Sequence, residues 1–146
     1  MRLELGIIKS FHLPSYCLGY CEHNADIIFV LDSSGSESGF WTQIKDWVKK
    51  TVNGLHNIGL RSEIGLVAFD DQADKSHEIQ LTAHEDRARF LRDVDNLPFL
   101  GGGTRIDLGM KEALEMFKAR RTNAHATVVL LTDGQGSNVP LRTVGK

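Results

Sequence analysis

Ala25-Asp26-Ile27-Ile28-Phe29-Val30-Leu31-Asp32-Ser33-Ser34-Gly35-Ser36, ADIIFVLDSSGS, is the stretch on which the fold turns. Five consecutive apolar residues, Ile27 to Leu31, end at Asp32. Such a run reads as a strand buried on both faces, here about Asp26–Leu31. Asp32, Ser34 and Ser36 then follow at every second position. In extended backbone those positions project to one side. The spacing therefore predicts one carboxylate and two hydroxyls converging beyond the C-terminal end of a buried strand. Open α/β sheets place their ligands there.

Two further pieces belong with it. Gly101-Gly102-Gly103-Thr104 precedes a helical pattern, and a second apolar run, Ala126–Thr132, ends at Asp133-Gly134. Asp32-x-Ser34-x-Ser36, a distant Thr104 and a distant Asp133, in that order, resemble the metal-ion-dependent adhesion site of von Willebrand factor A domains. Read alone, DSSGS is as readily a turn with Asp32 as a helix cap. The glycine run is either a flexible loop or a way to bring backbone close to an ion. Thr104 and Asp133 tip the balance to a metal site.

The donor chemistry agrees. All five candidates offer oxygen, which suits Mg²⁺ or Mn²⁺, ahead of Ca²⁺, and argues against zinc or copper. Two carboxylates balance a divalent charge, and the three hydroxyls add none. The ion would stay electrophilic enough to accept an external Asp or Glu.

The chain has 146 residues, enough for one domain with a real core. With 41% hydrophobic and 25% charged residues it reads as a globular protein. A net charge of −2 offers no basic face, so nucleic acid is not expected as a partner. No apolar run approaches the ~20 residues of a membrane span. Met1–Leu18 is interrupted by Glu4, Lys9, His12 and Pro14, a poor secretory core. Either the true signal lies upstream or the product is not exported conventionally. Residues 1–24 read as a leader or linker, and residues 25–146 as the A domain. His12, His23, His56, His77, His84 and His125 show no paired metal spacing. Cys17 and Cys21 read as two free thiols, or, by the resemblance, as part of an extracellular disulfide.

Along the chain, Phe40, Ile44, Trp47, Val48 and Leu55 recur at helical spacing, which predicts a helix over about Gly39–Asn53, closed by Gly54 and Gly59. Phe40 and Trp47 read as core. Ser62–Phe69 is a second strand. Ser76–Leu81 alternates, with His77, Ile79 and Leu81 on one face, and suits a half-exposed edge strand. Thr82-x-x-Glu85 is a capping box for a helix over about Ala83–Val94. Thr104-x-x-Asp107 partly resembles a cap for a helix running to about Ala119, with Lys118, Arg120 and Arg121 suiting its C-terminus. Ala126–Thr132 is strand four.

The alternation predicts an α/β fold, an open, mainly parallel twisted sheet flanked by helices. The resemblance implies strand order 3-2-1-4, with the family's last strands and C-terminal helix missing, which would leave strand four as an edge prone to pairing. It is closest to the matrilin and collagen-associated branch and implies a non-enzymatic module of the extracellular matrix or cell adhesion. Its partner would be a matrix or cell-surface protein offering an Asp or Glu carboxylate, collagen among the candidates. Glu37 stands where that family has an apolar residue. It either adds a carboxylate near the ion or, the favoured reading, faces solvent. Two other functions compete. A Mg-dependent hydrolase of the haloacid dehalogenase type would use Asp32, Thr132 and Asp70-Asp71, but Ser34 replaces its second Asp and the acidic pair comes too early. A structural A domain with an idle metal site is the third reading.

Overall fold

The computed structural model describes residues 24–57, 61–81 and 87–132. They form β1 (Asn24–Asp32), α1 (Trp41–Asn57), β2 (Arg61–Phe69), α2 (Arg87–Asp95), α3 (Ile106–Met116) and β3 (His125–Leu131), with 3-10 turns at Gly35–Glu37 and Phe117–Ala119. Residues 1–23 of the expected leader, with Cys17 and Cys21, and the Thr82 capping box lie outside the described residues, as do residues 133–146; Asn24, the leader's last residue, opens β1.

The apolar run of β1 becomes the middle of a three-stranded parallel sheet, in the order β2-β1-β3. Ile28, Phe29, Val30 and Leu31 have no exposed surface at all. The pleat sends Ile27, Phe29 and Leu31 to one face, where Trp41, Ile44, Val48 and Val52 of α1 and Phe90 and Val94 of α2 cover them. Ile28 and Val30 point to the other face, against Ala113 and Met116 of α3. Helices on both faces are what an all-parallel sheet requires. Trp47 meets Phe29 edge-on, with ring centroids 6.3 Å apart, so it is core as the periodicity predicts.

Four expectations are corrected. α1 does not stop at Asn53; it runs through Gly54 to Asn57. One glycine inside a helix costs only about 1 kcal/mol, and Leu55 beyond it packs on the α1-side core. The expected edge strand at Ser76–Leu81 is a single antiparallel bridge between Leu66 and Ile79, with N–H···O distances of 2.8 and 2.9 Å. Ile79 and Leu81 enter opposite clusters and His77 is exposed, so the segment rolls over where a strand would keep one face. The order 3-2-1-4 is therefore β2-β1-β3, with that bridging segment outside β2. Finally, Arg121 does not cap a helix. Its backbone N–H and guanidinium donate to the fully buried Asp26 at 2.7–2.9 Å, at the foot of β1.

α3 comes close to the sheet at Gly109. A Cβ there would lie 2.6 Å from the Phe69 ring and 3.0 Å from Val30 Cγ1. Helix propensity alone favours Gly109→Ala by about 1 kcal/mol. Overpacking costs about 1–3 kcal/mol, and both contacts are with fully buried side chains. At 2.6 Å from a ring that cannot yield, the overpacking cost falls at the upper end of that range, and the substitution should destabilise the domain by about 1–2 kcal/mol net. A urea midpoint equal to or above that of the parent would contradict this packing.

On the same side of the sheet, Gln80 Nε2 donates to Glu78 Oε1, while Glu78 Oε2 is buried with no donor among the described residues. Burial, then the neighbouring Glu112, raises the Glu78 pKa. A carboxyl raised in the folded state contributes stability below its unfolded pKa and loses it as pH rises through the folded value. Stability should therefore fall across the range just above ordinary glutamate titration. Glu78→Gln should remove that part of the slope, as read by thermal melts across mildly acidic pH.

Candidate metal centre

Asp32 is the last residue of β1 and is completely buried. Its Oδ1 accepts the Ser34 N–H at 2.9 Å, and its Oδ2 accepts the Thr132 hydroxyl at 2.7 Å. The chain does not continue extended, as the i, i+2 spacing suggests. After Ser34, at φ −68° and ψ 166°, it enters the 3-10 turn. This turn, not the pleat, brings Ser34 Oγ and Ser36 Oγ within 3.2 Å of each other. Ser34 is buried and Ser36 is exposed, so the pair spans the protein surface.

Ser33, passed over by the spacing argument, ties the loops together. Its N–H donates to Phe69 O at 2.8 Å, its carbonyl accepts the Gly101 N–H at 2.8 Å, and its hydroxyl accepts the Leu100 N–H at 2.9 Å. The glycine run lies directly against the serine loop, with Gly35 N–H donating to Gly102 O at 2.9 Å. Gly101 has φ +82°, a conformation that only glycine adopts freely. Thr104 ends this run, half-buried. It is not the helix cap: α3 begins with Arg105 as its N-cap, and Arg105 pairs with Asp107 at 2.7–2.8 Å.

The structure thus brings Asp32, Ser34 and Ser36 together and sets the Thr104 loop against them. Asp133 lies outside the described residues, one position beyond Thr132. Glu37 is 3% exposed, which overturns the solvent-facing expectation. Asp70 and Asp71 are near neighbours that the motif does not include. Their carboxylates lie against Gly102 and Gly103. Their position straight after β2 was the available signal.

The donor set suits a hard cation. Among the described residues, no Lys, Arg or His lies within ion-pair distance of Asp32. Asp26, equally buried on the same strand, has Arg121. A buried carboxylate without a cation costs several kcal/mol. Oxygen donors beside an unneutralised carboxylate fit a divalent ion.

Comparison with known proteins places this geometry. Residues 26–144 match the von Willebrand factor type A domain family. The collagen alpha-4(VI) chain of Mus musculus is 27% identical over 122 residues, covering 81% of this chain and 5% of the collagen chain. The transmembrane cell adhesion receptor mua-3 of Caenorhabditis elegans is 27% identical over 127 residues, covering 80% of this chain and 3% of the receptor. This chain therefore spans a small part of such relatives. Among solved structures, proximal thread matrix protein 1 from the mussel byssus superposes with a TM-score of 0.69 at 24% identity, over 82% of this chain and 33% of that one. Another structure of that mussel protein, with TM-score 0.53 and 24% identity over 64% of this chain and 25% of that one, has a zinc-occupied MIDAS motif.

Proposed function

The chain belongs to the von Willebrand factor type A domain family, and from that membership we propose that it is a metal-dependent binding module of the extracellular matrix or of cell adhesion. The observation that carries this reading is Asp32: a fully buried carboxylate, held by neutral donors, at the open end of the central strand.

In this reading Asp32, Ser34, Ser36 and Thr104 hold a divalent ion, and Asp133 contacts it directly or through water. The bound ion supplies an electrophilic position for a partner's Asp or Glu carboxylate. Mg²⁺ or Mn²⁺ is proposed, because hydroxyls and carboxylates are hard donors. The zinc in the mussel protein shows that this motif type also admits zinc, which takes carboxylate oxygen readily. Donor type thus ranks the ions without excluding zinc. The partner is proposed to be a matrix or cell-surface protein, collagen among them, and the location extracellular. A collagen VI chain and an adhesion receptor among the relatives support both.

Calorimetry with Mn²⁺ should detect one site in the parent and none in Asp32→Ala, which loses the buried carboxylate. Unchanged Mn²⁺ affinity in that variant would reject the ligand set.

Adhesion to immobilised fibrillar collagen and other matrix proteins should vanish in EDTA and return with excess Mg²⁺. Adhesion that survives EDTA would place recognition on another surface.

A further inference from the structure

We infer that Asp70 is the positioning residue that fixes Thr104 beside the serine loop. The consequence for metal affinity rests on the function proposed above; the hydrogen bonding does not. The Gly102 peptide is gripped from both sides. Its carbonyl accepts the Gly35 N–H at 2.9 Å, and its own N–H donates to Asp70 Oδ2 at 3.2 Å. Beyond Thr104, the Arg105 N–H donates to the Asp70 carbonyl at 2.8 Å. Thr104 is therefore bracketed by two hydrogen bonds to one residue. The carboxylate is itself oriented, because Asp70 Oδ1 accepts the Gln72 N–H at 3.1 Å.

The fit explains the glycines differently from the sequence. A Cβ at Gly102 would lie 2.5 Å from Asp70 Oδ2 and 2.6 Å from Asp71 Oδ2, and one at Gly103 would overlap the Asp71 carboxylate. Gly102 and Gly103 are thus complementary to the two carboxylates after β2. Aspartate suits position 70 because its two oxygens accept two separate N–H groups. Asparagine accepts with one oxygen and would turn an amide N–H toward a second donor. Asp71 provides a built-in control. It puts a similar charge against the same loop but accepts no hydrogen bond among the described residues.

The experiment is Mn²⁺ calorimetry on the parent, Asp70→Ala, Asp71→Asn, Thr104→Ala and the Asp70→Ala/Thr104→Ala pair. Groups that orient metal ligands typically change affinity 10–100-fold, so Asp70→Ala should weaken Mn²⁺ by about tenfold or more. Asp71→Asn should stay within about twofold. In the Thr104→Ala background, Asp70→Ala should add less than about twofold, because coupled groups are not additive. Equal losses in Asp70→Ala and Asp71→Asn would mean that charge acts, not position. Full additivity with Thr104→Ala would mean that Asp70 does not act through Thr104. Either result overturns the inference. If Asp70→Ala does not unfold cooperatively, Asp70→Asn, which keeps one acceptor oxygen, takes its place. Amide exchange separates this inference from the metal reading. The Gly102 amide should be protected in the parent and exposed in the Asp70 variant, even if the parent binds no Mn²⁺, while the Arg105 amide, whose acceptor is a main-chain carbonyl that the variant keeps, serves as the internal reference. Unchanged Gly102 protection would overturn the positioning role on its own.

Discussion

Everything in this domain depends on burying β1 completely while it carries a carboxylate at each end. Its four central residues have no exposed surface, so helices must cover both faces and a strand must lie on each side. Asp26 and Asp32 are drawn into that interior with it. At the foot, Arg121 meets Asp26 with two guanidinium bonds and a backbone N–H. At the top, Asp32 has a backbone N–H and a hydroxyl, both neutral. The same strand thus shows a buried carboxylate with its cation supplied by the chain, and one that has only dipoles around it among the described residues. That asymmetry gives the sheet a structural end and a chemical end.

The chemical end is built mostly from main-chain atoms. Ser33 connects the ends of β1 and β2 to the glycine run through its N–H, carbonyl and hydroxyl, and the Gly35–Gly102 bond closes the arrangement. Side chains at the surface, Ser36 among them, then stand on a frame that does not depend on their own contacts. Such a frame suits the proposed role, in which a fixed set of oxygens would face an ion and one direction would stay open to a partner.

Much of this was legible in the residues. Continuous apolar runs gave the three strands within a residue or two, and helical periodicity found α1 and α3. The oxygen set Asp32, Ser34 and Ser36 could be named from one segment. What was not legible depended on contacts distant in sequence. Gly54 looks like a stop until Leu55 is seen against the core. Alternation at Ser76–Leu81 looks like a strand until Ile79 and Leu81 go to opposite faces. Glu37 looks solvent-facing until the turn buries it. Arg121 pairs with a residue 95 positions away. The carboxylates of Asp70 and Asp71 explain Gly102 and Gly103 only in three dimensions.

The hydrogen bond from Thr132 to Asp32 spans 100 residues of chain. Synthesis proceeds at about 5–20 residues per second, so β1 leaves the ribosome roughly 5–20 seconds before β3 can reach it. During that interval the most apolar strand of the domain has one side unpaired and Asp32 has lost its hydroxyl partner. Its protection then falls to β2 and α1, which follow it directly in the chain. The order in which the elements are encoded thus supplies cover for one edge and one face of β1 early, and leaves the Asp32 end to be completed last.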